Sequence, residues 1–93
     1  MQVIGFFIMS YFLYIIQSDK DGTYYVGSTQ DIKDRLARHN QGRSNYTRNR
    51  GPWEVVYFEE YSRRVDAVKR EKAIKNRKRR DYIESLVKAS RQT

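Results

Sequence analysis

The sequence predicts an α+β domain: a small, mostly antiparallel three-stranded sheet flanked by helices. Three segments rich in β-branched and aromatic residues, 11–17 (YFLYIIQ), 23–27 (TYYVG) and 53–59 (WEVVYFE), supply the strands. Amphipathic stretches at 32–40 and from Arg63 toward Arg80 supply the main helices, with a shorter one at 81–87 after a break. The order strand, strand, helix, strand, helix, helix suits a layered sandwich of sheet and helices. A chain of 93 residues buries roughly 65% of its unfolded surface, enough for one core and not two. With 39% hydrophobic residues against 32% charged, it has the apolar material to fold.

Residues 3–16 (VIGFFIMSYFLYII) are almost continuously apolar, yet these 14 residues fall short of the roughly 18 that cross a bilayer. No Lys or Arg precedes them and no small-residue cleavage site follows, so a signal peptide fits poorly. Residues 1–10 read as an N-terminal extension or an extra edge strand, 11–88 as the domain and 89–93 as a tail.

The first strand is apolar on both alternating faces, Phe12, Tyr14 and Ile16 against Tyr11, Leu13 and Ile15, as expected of a central strand covered on both sides. The cluster from Ser18 to Gly22 turns the chain into the second strand, making a hairpin. Ser28 or Thr29 then caps the first helix, whose first turn carries Asp31 and which stops near Gly42. A polar, basic loop spans 41–52, the third strand follows, and Ser62 caps the long helix.

Zero cysteines exclude disulfides, a disulfide-linked partner, thiolate metal sites and a cysteine nucleophile, and one histidine excludes a His-rich cage. Absence of cysteine and of a signal fits a reducing cytoplasm. The net charge of +8 is segregated: residues 1–60 hold seven basic and seven acidic groups, residues 61–93 twelve against four. Such a block suits a phosphate backbone or an anionic membrane surface, or else a solvated helical face.

At about 100° per residue, Glu71 falls between Ala67 and Ile74 on the sheet-facing stripe of the long helix, where a carboxylate needs a partner. Either Lys75 forms an i to i+4 ion pair with it, or it binds a hard cation. On the first helix, Ile32 and Leu36 define the buried side, and Arg35 and His39 lie one turn apart at its edge, pointing to one cleft margin; Arg38 is on the solvent side. Tyr14 and Tyr25 read as core aromatics or as functional hydroxyls.

Taken in order, Tyr14, Tyr25-Val26-Gly27, Arg35, His39 and Glu71 resemble the GIY-YIG nuclease domain across roughly residues 11–88. The similarity is greatest to its stand-alone, single-domain members, of UPF0213 type and like the N-terminal domain of the excision-repair incision nucleases. The resemblance implies a GIY-YIG endonuclease-like sandwich that hydrolyses phosphodiester bonds in DNA with water as nucleophile, using one Mg²⁺ or Mn²⁺ held by Glu71. It implies that Arg35 stabilises charge on the scissile phosphate and that His39 assists proton transfer or holds the attacking water. It implies further that a hydroxyl of Tyr14 or Tyr25 acts as, or positions, the general base. With an ordinary pKa near 10, a tyrosine can do so only if a cation such as Arg35 or the metal lowers it; His39, near 6.5, is the competing base. Gly27 permits close backbone approach where the strand leaves the sheet. Tyr46, Arg48 and Arg50 in the loop, with Lys75, Arg77 and Lys78, are candidates for tracking the nucleic-acid backbone.

The chain departs from the family pattern at its first motif, where Phe12-Leu13-Tyr14 replaces Gly-Ile-Tyr, and at Ser28, where some members carry lysine. Better-characterised relatives attach target-recognition modules for which 93 residues leave no room, so a protein partner is expected to supply target specificity. The alternatives to a nuclease are a non-catalytic nucleic-acid-binding module of the same fold and a protein attached to a membrane surface through the apolar N-terminus and the basic C-terminus.

Overall fold

A computed structural model describes residues 9–91, so the expected extension or edge strand over 1–8 lies outside the described residues. Three strands, β1 (Tyr11–Ser18), β2 (Tyr24–Thr29) and β3 (Trp53–Tyr61), form one antiparallel sheet in the order β2-β1-β3. The doubly apolar β1 is the central strand, and its two faces seed two cores. Leu13 and Ile15 pack with Val26 and Ile74 on one face. Tyr14 and Ile16 pack with Trp53 on the other.

Helix α1 (Ile32–Asn40) covers the Tyr14 face through Ile32 and Leu36, while α2 (Arg64–Arg77) and α3 (Arg80–Arg91) cover the Leu13 face through Ile74, Ile83 and Leu86. Both faces are thus shielded by helices, as the sequence predicts, and among the described residues β2 and β3 each keep one unpaired edge.

The caps differ from expectation. β2 extends through Ser28 and Thr29, which pair with Leu13 and Phe12 and so cannot begin a helix. Asp31 takes the N-cap instead, accepting the Asp34 amide at 2.9 Å. Arg63, not Ser62, occupies the N-cap of α2, with no side-chain cap. That helix stops at Arg77 because Lys78 turns left-handed at φ 52°. The segment assigned to a tail is helical as far as Arg91. Gly42 ends α1 as expected, at φ +73°.

Candidate active site

The site begins with the pairing of β1 and β2. Tyr14 stands opposite Gly27, and residues directly opposite in an antiparallel pair project to the same face. Because Gly27 has no side chain, the Tyr14 ring crosses over β2. This corrects the expected role of Gly27: it lies within the strand, and it makes room for a ring rather than marking where the chain leaves the sheet.

The last turn of α1 delivers His39 beneath that ring. It is 2% exposed, in the interior and not at the cleft margin that helix geometry suggests. The Tyr14 hydroxyl lies 2.9 Å from His39 Nε2, and His39 Nδ1 lies 2.7 Å from the Thr47 hydroxyl. Thr47 Oγ1 is in turn 3.5 Å from the Ser44 carbonyl. Asn40 fixes the position of Thr47: its side chain bonds both backbone groups of Trp53, whose indole donates to the Thr47 carbonyl at 3.1 Å. The loop is therefore pinned at both ends of its turn.

Burial, reinforced by Tyr25, pushes the Tyr14 phenol up to about 12, although Arg35 beside it pulls the other way. The expected lowering of a tyrosine by Arg35 is thus outweighed by desolvation. Burial, then the charges of Arg35 and Arg38, hold His39 below its ordinary value. Both groups are uncharged at neutral pH. Tyr14 then donates to Nε2, and His39 carries its proton on Nδ1 and donates it to Thr47.

Arg35 sits one turn before His39, and its buried Nε is the unpartnered side-chain polar atom found among the described residues. A half-buried guanidinium whose Nε is enclosed without a partner is chemically disposed toward an anion. Arg38, expected on the solvent side, is half-buried.

Glu71 projects from α2 on the opposite face of the sheet. Ser28 donates to Oε1 at 2.8 Å and Lys75 to Oε2 at 2.6 Å, so the i to i+4 ion pair exists. The two halves meet around the free edge of β2. Lys75 places its ammonium 5.7 Å from the centre of the Tyr25 ring, and the Glu71 charge raises the Tyr14 phenol. Tyr25 packs 4.9 Å from the His39 ring and 5.6 Å from Tyr46, and Arg50 lies over the Tyr46 ring at 5.1 Å. Lys75 and Lys78 border the same edge. Arg48 and Arg77 are engaged elsewhere: Arg48 bonds the Gly42 carbonyl and Asn45, and Arg77 lies 4.1 Å over Tyr82.

The sequence reading missed Ser28 and Thr47. For Ser28 a signal existed, since it shares the face of Val26 and so must meet the helix that carries Glu71. Thr47 had none, because only the folded loop brings it to His39.

The model of the GIY-YIG catalytic domain matches residues 10–83. The chain belongs to the GIY-YIG family. GIY-YIG domains form a nuclease family, and the match points to nucleic acid as the class of molecule such a domain handles. A UPF0213 protein of Staphylococcus epidermidis is 36% identical over 77 residues, covering 82% of this chain and 93% of the relative. One from Listeria welshimeri is 37% identical over 78 residues, covering 83% and 86%. The solution structure of a UPF0213 protein from Bacillus halodurans matches with a TM-score of 0.55 and 32% identity over 87% of this chain and 85% of that one. It has the same α+β architecture as this GIY-YIG domain. No helix among the described residues is long and apolar enough to cross a membrane.

Proposed function

We propose that this protein is a divalent-metal-dependent endonuclease that hydrolyses phosphodiester bonds in DNA by attack of water. The observation that supports this best is the free, buried Nε of Arg35 beside the Tyr14–His39 pair, an anion-seeking donor next to a proton relay. A phosphate held by Arg35 gains charge stabilisation as negative charge builds on its oxygens. As water attacks phosphorus it gives a proton to the Tyr14 oxygen, while Tyr14 gives its own to Nε2 of His39; the leaving oxygen is protonated from solvent. Thr47 keeps Nε2 ready to accept.

Glu71 fits a divalent cation as its one protein ligand. No cluster of three or more His, Asp or Glu exists among the described residues, and Mg²⁺ commonly keeps several waters when one carboxylate holds it. Lys75, half-exposed on a flexible stem, would swing away from Oε2 while Ser28 kept the carboxylate oriented. Mg²⁺ or Mn²⁺ held there supplies Lewis-acid polarisation of a phosphoryl oxygen.

The second reading, a binding module without catalysis, is favoured by one observation: both Glu71 oxygens already have partners. Incubation of supercoiled, single-stranded and branched DNA with Mg²⁺, Mn²⁺ or EDTA separates the two. Metal-dependent nicking that disappears in Glu71→Ala, with DNA binding retained, is the expected result. Binding without cleavage of any substrate would establish the second reading.

A further inference from the structure

Along the outer edge of β2, unpaired among the described residues, runs a cleft of about 530 Å³, bordered by Tyr24, Tyr25, Tyr46, Lys75, Lys78 and Arg80. Its volume is that of an ordinary small-ligand site. Tyr24 and Tyr25 project to opposite faces of β2, so the cleft wraps around the strand edge, and Ile74 and Ile83 add apolar surface on the helical side. No acidic side chain lines it. Arg80 lies 4.8 Å over the Tyr24 ring, held by bonds to the Gly22 carbonyl and Glu84, each at 3.1 Å. Tyr46 is 54% exposed. Lys78 has no ion-pair partner among the described residues. The proton relay makes no use of Tyr24, Lys78 or Arg80.

We propose that this cleft receives one unpaired nucleobase of the nucleic-acid strand whose phosphate lies at the active site. The inference rests on the nucleic-acid reading above and narrows it. Flat π faces bordered by aliphatic surface and by cations, of which Lys78 carries no ion pair among the described residues, match a flat aromatic ring that carries an anion beside it. Lys75 ties the two places together, since it borders the cleft and bonds Glu71. A base inside a duplex is stacked on both faces and paired at its edge, so only an unpaired or extruded nucleotide can enter. The protein is therefore selective for strands that offer one next to the bond to be cut.

The test is binding in EDTA, so that cleavage plays no part. Fluorescence anisotropy compares a labelled 12-residue oligothymidylate, an abasic oligomer with the same number of phosphates and a 12-base-pair duplex. Wild type is expected to prefer oligothymidylate over the abasic oligomer by roughly 5- to 100-fold. Tyr24→Leu, which keeps the apolar packing, should remove most of that preference while abasic binding stays within about twofold, and Tyr46→Leu, at an exposed position, should lower the preference as well. The same pattern with oligouridylate alone would make RNA the occupant and still support the cleft. Equal affinity for base-bearing and abasic oligomers, or a preference retained in both variants, overturns the inference while nucleic-acid binding stands. Failure to bind any oligomer at low salt overturns the nucleic-acid reading itself.

Discussion

A β-carbon on Gly27 would stand 2.6 Å from the Tyr14 hydroxyl oxygen and 2.8 Å from Cζ of the same ring. Neither distance is tolerable, and the ring has little freedom because Tyr14 is 1% exposed. Gly27→Ala is therefore expected to lose about 1–3 kcal/mol of stability through overpacking, read from the urea midpoint. Cleavage should fall with it, since the ring must leave His39. In a Tyr14→Leu background the added methyl should cost much less, and purely additive losses would show that the two residues do not collide.

Tyr14→Phe removes one oxygen and leaves the ring. His39 Nε2 then loses its hydrogen-bond partner in a buried place, at a cost of about 1–3 kcal/mol. Because the proton route is cut, kcat should drop roughly 10²- to 10⁴-fold, with DNA binding unaltered. A variant that retained near-normal turnover would shift the role of base to Tyr25 or to His39 alone.

His39 gives the protein a pH dependence whose sign follows from its lowered folded value. Below about pH 6.5 the unfolded chain takes up a proton that the folded form refuses, so the unfolded state binds more protons and stability rises with pH. The stabilisation is complete above 6.5 and is lost as the pH falls toward the folded value. Thermal midpoints followed across this window should slope upward in wild type and flatten in His39→Gln.

Thr47→Val keeps the shape of the side chain but removes the acceptor 2.7 Å from His39 Nδ1. The proton is then no longer held on Nδ1, and turnover is expected to fall roughly tenfold or more with a displaced acid limb of the pH–rate profile. Thr47→Ser should restore both. A change in KM alone would speak against a positioning role.

On the Leu13 face, away from the relay, Glu59 accepts bonds from the Tyr57 and Tyr61 hydroxyls and from Arg70 at 3.0 Å. Burial pushes its carboxyl up, but Arg70 and the two hydroxyls together hold it below its ordinary value. Its contribution is present above the unfolded carboxyl value and is lost as pH falls through the folded one. Glu59→Gln should therefore lower stability at pH 7 by about 1–3 kcal/mol while leaving cleavage per folded molecule unchanged.

The architecture was legible because β1 carries apolar residues on both faces, a pattern that only a centrally placed, doubly covered strand satisfies. Strand and helix ends were less so. Ser28 and Thr29 have the chemistry of caps, and only their long-range pairing with β1 shows that they remain extended. Tyr14, Arg35, His39 and Glu71 were singled out by their order along the chain, whereas their division between the two faces of the sheet emerged from packing. The depth of His39 could not be read from α1 alone, since the loop that seals it is held by Asn40 and Trp53, 13 residues apart.

The position of these groups around the outer edge of β2 has a topological corollary. A margin, unlike a tunnel, has no entrance through which a polymer must be threaded end first. A long molecule can lie against it sideways without being drawn in from an end, and a covalently closed circle reaches it as readily as a linear piece.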